Sequence, residues 1–589
     1  MRRALLVGLV AVALLAVVGI VVVNRHVTAA PRADWAFEHG GLAGWVRHGR
    51  TGLTGTQPHG GKHAARVGGT AGDSSIADSF TVPAGRTRLT FWYRVGCPDP
   101  AHRAWAVATL VEAGAAPRSA LAPACTTGLG WQRAAAGVLP GHRYTLTLAT
   151  HGAAVADYDD VGLDAPVPTD LTRVSADTLS AAPGQHATEA EPDTLAWGTT
   201  VVAAAQVGRH VEGAADGIAA MTSTDGGITW SDTLLPALTT ANGGRYRRAS
   251  DPVVGYDARH GTWLVSDIAI VTEDTTDLTV SRSADARTWQ PPVKVAGDGK
   301  MFYDKDWIAC DNSAASPWYG TCYLESDVFS DPNADYGEVV MNRSTDGGLT
   351  WSPPVAAADR ALGLGGQPMV RPDGTAVVPY VAPNSEVRAI RSADGGASWT
   401  ASVRVSDVQA HRPAGGLRTG PSLPSADVDA AGRLYLAWMD CRFRSGCPGN
   451  DIVYATSDDG VSWSAPHRVP PAGDADAVLP GLAADPTGPG HLALYYYTVT
   501  CAPDCRLAVG YRSSVDGGGT WTAARTVAEP FALSLAARTG DGRGRMVGDY
   551  ISCSVVGGSA VSVFALARPA AGGGRYDQAM YSAGPLPVG

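Results

Sequence analysis

Carboxylates recur where apolar, strand-like segments begin. Glu191 and Asp193 stand in "EAEPDTLAW", Asp251 opens "DPVVGYD", Asp304 and Asp306 flank Lys305 in "YDKDWIACD", and Asp549 precedes Tyr550 in "GDYIS". Other polar residues fall beside further apolar runs: Arg209, Glu273, Glu325 and Asp327, then Asp440, Arg442 and Arg444 within "WMDCRFRSGCPGND". Arg248, Arg418 and Arg545 come just before such segments. Glycoside hydrolysis needs two carboxyl groups, one kept protonated by its surroundings. Arginine offers a fork for a carboxylate or a polar sugar rim. A phenol activated by a neighbouring base replaces the carboxylate nucleophile when the substrate is anionic.

These residues lie far apart in sequence, so only the fold can gather them. Six turns of one type supply the clue: "STDGGITW" at Ser223, "SADARTW" at Ser283, "STDGGLTW" at Ser344, "SADGGASW" at Ser392, "SDDGVSW" at Ser457 and "SVDGGGTW" at Ser514. About three short strand-like segments precede each turn and one follows. Four antiparallel strands per unit, repeated every 50–70 residues, predict an all-β chain built as a β-propeller. The box is then the hairpin between third and fourth strands. Its Asp accepts N–H groups of its own turn and its glycines supply positive φ, so the box carboxylates are assigned to structure.

Candidate first strands start near Asp193, Asp251, Asp306, Gln367, Pro424, Pro480 and Gly548, at intervals of 55 to 68 residues. Seven blades are therefore preferred to six, the alternative. "TRVSADTLSA" would give the last blade its fourth strand. In a propeller, first-strand starts and the loops between second and third strands share one face, opposite the boxes. The acids and arginines above should meet on that box-free mouth. The structural alternative is that such acids bind neighbouring loop N–H groups.

Residues 33–166 read as a separate β-sandwich, residues 167–175 as a linker with "APVPTD" at 165–170, and residues 172–589 as the propeller. Residues 1–30 carry Arg2 and Arg3 ahead of an apolar run from Ala4 to Val23. That run is long for a signal-peptide core and just long enough for a membrane-spanning helix. It is read as an N-terminal apolar helix, either a cleaved signal or an anchor. Both place the rest outside the cell, secreted or held at the plasma membrane, where disulfides form. Proximity groups Cys97 with Cys125, Cys310 with Cys322, Cys441 with Cys447 and Cys501 with Cys505. Cys553 is left over and reads as a small buried hydrophobe. The net charge of −10 with no basic run argues against nucleic acid as a partner. No cofactor or transition-metal motif is present. A monomer is expected.

The six boxes with an Arg-, Tyr-, Glu- and Asp-rich mouth resemble the sialidase (neuraminidase) superfamily, whose repeats carry this box. "EAEPDTLAWGTTVVAAAQVGRH", "ASDPVVGYD", "DKDWIACDN", "WMDCRFRSGC" and "MVGDYIS" look like secreted bacterial sialidase-like proteins named for their boxes, across about residues 185–585. The early Phe37-Glu38 and the late Asp159-Asp160-Val161 resemble carbohydrate-binding jelly rolls. In that region Glu38, Asp159 and Asp160 offer hard oxygens for a structural Ca²⁺, or are solvated carboxylates. The sialidase resemblance implies Tyr550 as nucleophile, Glu325 as its base and Asp251 as acid. It implies Arg248, Arg442 and Arg545 as a carboxylate clamp, with Asp306 and Asp549 as further substrate contacts. The family's first arginine sits in a Phe/Tyr-Arg-Ile-Pro motif, whereas Tyr246-Arg247-Arg248-Ala249 stands here. Seven blades would be a second departure.

Box repeats specify a fold more strongly than an activity. Two functions stay open. One is an exo-acting, sialidase-like glycoside hydrolase on terminal sialic, nonulosonic or other sugars of extracellular glycans. The other is a non-catalytic propeller that binds glycan or protein at the cell surface.

Overall fold

The computed structural model describes residues 35–589, apart from residues 39–40, 60, 70–71, 84–85, 87, 98–103, 116, 126–130, 140, 165–170, 181–183, 421, 502–503, 541–543 and 571–573. The apolar segment before residue 31 and residues 167–170 of the expected linker lie outside the described residues. Among the described residues no helix is long and apolar enough to cross a membrane. The helical elements there are three single 3-10 turns.

The first region, to Asp164, holds two five-stranded antiparallel sheets. Its strands alternate between core and solvent, as in Arg143–His151, where Tyr144, Leu146 and Leu148 are buried and their neighbours are not. That period of two is what a sheet with one covered face requires. Phe37, Phe91, Tyr144 and Tyr158 fill the space between. Cys97 is bonded to Cys125. Glu38 accepts the backbone N–H groups of Lys62 and His63, Asp159 accepts those of His59 and Asp160, and Asp160 pairs with His59. Those oxygens already have protein donors, and no metal-holding group is found among the described residues.

After residue 171 the pattern changes. Thr200–Arg209 and Ala215–Ser223 are buried at nearly every position, because each sheet is covered on both faces. The runs "VVAAAQV" and "IAAM" are apolar throughout for that reason, and their alanines let sheets approach closely. Seven four-stranded units follow one another, each with its first strand innermost. These strands are Glu189–Trp197, Arg248–Asp257, Phe302–Cys310, Met369–Val370, Ser425–Val428, Asp476–Ala484 and Ser552–Val556. They pack in sequence order, and Ser552–Val556 of the seventh lies against Glu189–Trp197 of the first. Thr194 N donates to Ser552 Oγ across that last seam at 2.5 Å. The fourth strand of unit seven is Thr172–Arg173, paired with Ser582 and Tyr581. Units one and two share a sheet through Ala215 and Ala249. No sheet closes on itself among the described residues; the order of the units is what is cyclic.

Antiparallel pairing fixes which residues share an end. In unit two, Arg248, Ile270 and Thr276 lie together at one end, and Asp257, Thr262 and Ser283 at the other. First-strand starts therefore sit opposite the six boxes. Inside each box the carboxylate is taken. Asp225 Oδ1 accepts from Ile228 N and Thr229 N, and Ser223 Oγ accepts from Gly227 N. The second box glycine also presses on the preceding unit. A Cβ on Gly227 would meet Val561 at 2.7 Å, and one on Gly348 would meet Leu264 at 2.8 Å.

Candidate functional site

Four inner strands carry one extra residue near their starts. The register shifts between Ala190 and Asp193, Ser250 and Val253, Asp304 and Asp306, and Val478 and Gly481. The inserted residues Glu191, Asp251, Lys305 and Leu479 have φ of 56°, 49°, 41° and 52°. A bulge bends the strand and re-aims a side chain. Each such non-glycine residue at positive φ costs about 1–3 kcal/mol, which packing on both sides must offset.

The result is a polar cluster at the mouth. Arg418 Nη2 donates to Asp549 Oδ2 at 2.5 Å. The charge of Asp549, then those of Glu191, Asp251 and Asp304, raises the guanidinium above its ordinary value against the opposing pull of burial. Behind it runs a directed hydrogen-bond chain. Buried Arg209 donates to Gln206 Oε1 at 3.1 Å and to Thr539 Oγ1 at 3.2 Å. Gln206 Nε2 donates to Glu191 Oε2 and to Ser250 Oγ, and Ser250 donates to Asp251 Oδ2 at 2.8 Å. Glu191 and Asp251 are thus joined through one amide and one hydroxyl. Burial, reinforced by Asp251 and Asp549, pushes the Glu191 carboxyl well above the carboxylate range. Burial and the charge of Asp251 push Asp304 up to about 6. One carboxyl thus poised near neutrality beside a second carboxyl group is an acid–base arrangement.

Tyr550 reaches this cluster but not as expected. It is buried, its hydroxyl donates to Pro252 O at 3.3 Å, and its ring packs edge-on against Trp307 beneath Lys305 Nζ. Burial and the charges of Asp251 and Glu191 drive its phenol well above the ordinary value, the wrong direction for a nucleophile. Glu325 is not its partner. It lies in the second strand of unit three and faces Gly366 of unit four, with both oxygens buried and unpartnered. Asp306 is likewise fully buried with both oxygens unpartnered.

The expected clamp also disperses. Arg248 pairs with Glu273 and Gly213 O. Both ends of the Arg442 fork go to Asp440, with a further bond to Asp407 O. Arg545 bonds Gly544 O, while its own carbonyl holds Arg418 N at 2.8 Å. The arginines that face the acids are Arg418 and Arg209. Gln206 gave a signal that was passed over, as the one polar residue in "VVAAAQV". Arg418 is among the arginines the sequence places at the mouth, though not among the three expected in the clamp; it sits on the long connection between Val403–Asp407 and Ser425–Val428. The bridged loops brace that connection. Cys441 and Cys447 are joined, as are Cys501 and Cys505; Cys441 N bonds Gln409 O, and Gly415 packs on Cys505. Cys310–Cys322 forms as expected, and Cys553 is a buried free thiol. Below the cluster is a cleft of about 10 Å³, lined in part by Trp307, Gln367, Leu423, Asp549 and Tyr550. That is room for about one water, so a sugar would sit at the rim above it.

Residues 221–232 match the model of the BNR/Asp-box repeat. The chain carries the Asp-box. No curated protein matches it. Among solved structures, it is similar to the leech intramolecular trans-sialidase complexed with 2,7-anhydro-Neu5Ac, at 14% identity over 84% of this chain and 91% of that one, with a TM-score of 0.35. A mutant of the NanB sialidase from Streptococcus pneumoniae is similar at 12% identity over 86% and 96%, TM-score 0.37. A PL25 ulvan lyase bound to its saccharide is similar at 13% over 70% and 96%, TM-score 0.40. All three likenesses are distant.

Proposed function

We propose that the chain is a carbohydrate-active protein of the extracellular face, a seven-bladed propeller whose mouth hydrolyses a terminal sugar of a glycan. The observation that carries this reading is the gathering of Glu191, Asp251, Asp304 and Asp549 around Arg418 from four different units. Asp304 is the proton donor and Asp251 the second carboxyl group, with Glu191 and Gln206 fixing Asp251 through Ser250. Arg248, Arg442 and Arg545 are engaged elsewhere, which favours a neutral sugar over sialic acid, whose carboxylate would need that clamp. Four disulfides support an oxidising compartment.

Turnover of fluorogenic glycosides tests this, with neutral hexosides, pentosides and a sialoside in one panel. The expected result is hydrolysis of a neutral member that falls about 10²- to 10⁴-fold in Asp251→Asn and in Asp304→Asn. A second reading, glycan binding without turnover, is favoured by the narrowness of the cleft. Silence across the panel with retained glycan-array binding would select it; silence in both assays rejects a glycan function.

A further inference from the structure

Arg418 and Asp549 form an ion pair in which each partner keeps unused valence. The guanidinium engages Asp549 Oδ2 through Nη2, and among the described residues its Nε and Nη1 have no hydrogen-bond acceptor. Its side chain is 45% exposed. Asp549 Oδ1 is buried without a partner, in a side chain 9% exposed that lines the central cleft. Unused donors and an unused acceptor therefore stand side by side, in a pair with no net charge.

The pair is held before any ligand arrives. Leu417 bridges to Arg545, Arg418 N is held by Arg545 O, and Ser422 Oγ donates to Met439 O at 2.7 Å. Asp549 follows Gly548, where a Cβ would meet Tyr550 O at 2.7 Å. Fixed geometry of this kind lets polar groups discriminate between ligands.

An anionic group on a ligand would satisfy only the guanidinium and leave Asp549 Oδ1 without a donor. An ammonium would satisfy only Asp549 and face Arg418. Two adjacent hydroxyls satisfy both, one accepting from Arg418 and one donating to Asp549 Oδ1. We propose that Arg418 and Asp549 together read a vicinal diol on the terminal residue of a neutral glycan. This rests on the glycan reading above and narrows its substrate class.

Calorimetric titration of the purified full chain with methyl glycosides of galactose, glucose, mannose and arabinose, their monodeoxy forms and sialyllactose tests it. A neutral glycoside should bind more tightly than sialyllactose, and loss of one diol hydroxyl should weaken it about 10- to 100-fold. Arg418→Gln and Asp549→Asn should bring the parent sugar down to the deoxy level while leaving the deoxy sugar nearly unchanged, a coupling that general damage would not produce. Arg418→Lys, which keeps the charge but loses the fork, should do the same and serves if Arg418→Gln fails to fold. Preference for sialyllactose, equal binding of parent and deoxy sugars, or equal weakening of both by the variants overturns this inference alone. Absence of binding or turnover with every glycan overturns it together with the function it rests on.

Discussion

On the box end of the ring, Asp346 accepts from Leu349 N, Thr350 N and Thr350 Oγ1 and is donated to by Ser344. At the mouth, Asp306 and Glu325 have no hydrogen-bond partner for either oxygen. Hydrogen bonding to the charged form holds box carboxylates low: Asp394, bonded first by Ser398 Oγ, sits at about 2. At the other end burial dominates. Asp304 rises to about 6, and Glu325 rises well above its ordinary value. One residue type thus serves as mortar at one end of a unit and as a strained, protonatable group at the other. Strain and unsatisfied polarity persist where surrounding packing over-determines them, and such places are candidates for function.

The sharpest way to break this contrast is Asp251→Asn. It should abolish most turnover, by about 10²- to 10⁴-fold, with a thermal midpoint close to the parent's. Asp346→Ala should do the reverse. It frees two backbone N–H groups and two hydroxyls, most of them open to water, and should cost about 1–2 kcal/mol by chemical denaturation with the specific activity of folded protein unchanged. If Asp346→Ala spares stability, or Asp251→Asn unfolds the chain, the division between the two ends fails.

Much of this division was legible in the sequence. The box repeats and the spacing of first strands predict seven units, and Asp251, Asp549 and Tyr550 do reach one another's neighbourhood. What the sequence hid was orientation. Glu325 and Asp327 look like loop residues but lie within Cys322–Phe329, and the alternation of that strand sends Glu325 toward unit four. Arg248 and Arg442 have the residue type for a clamp, yet Glu273 and Asp440, also close in sequence, claim them first. Arg418 was legible as a mouth residue from its place ahead of Ser425–Val428, but its pairing with Asp549 depends on a connection whose path is set by contacts with distant loops.

A milder test neutralises an orphan. Glu325→Gln removes a buried carboxylate crowded by Asp327, so it should stabilise the chain by about 1–2 kcal/mol at pH 8. At pH 4 the parent side chain is already protonated and the gain should vanish. A loss at pH 8 would show that Glu325 is charged and paired, and would remove it from the strained set.

The smallest effect is a slope. Asp267, buried on the mouth side of the second strand of unit two and donated to by Thr279 Oγ1, is pushed by burial from an ordinary 3.8 up to about 7. Between those values the folded chain keeps a proton that the unfolded chain has shed, so unfolding free energy should fall as pH rises from about 4 to about 7. Box aspartates act in the opposite sense. Their stabilisation is complete above the ordinary carboxylate value and is lost as pH falls toward about 2, where Asp394 titrates. Denaturation midpoints across pH should therefore show two separate declines. Asp267→Asn should make the upper one shallower, the remainder coming from Glu189, Asp427 and Asp304, and leave the acid limb in place. A variant that shifted the acid limb would mean that the two ends of the ring titrate as one system.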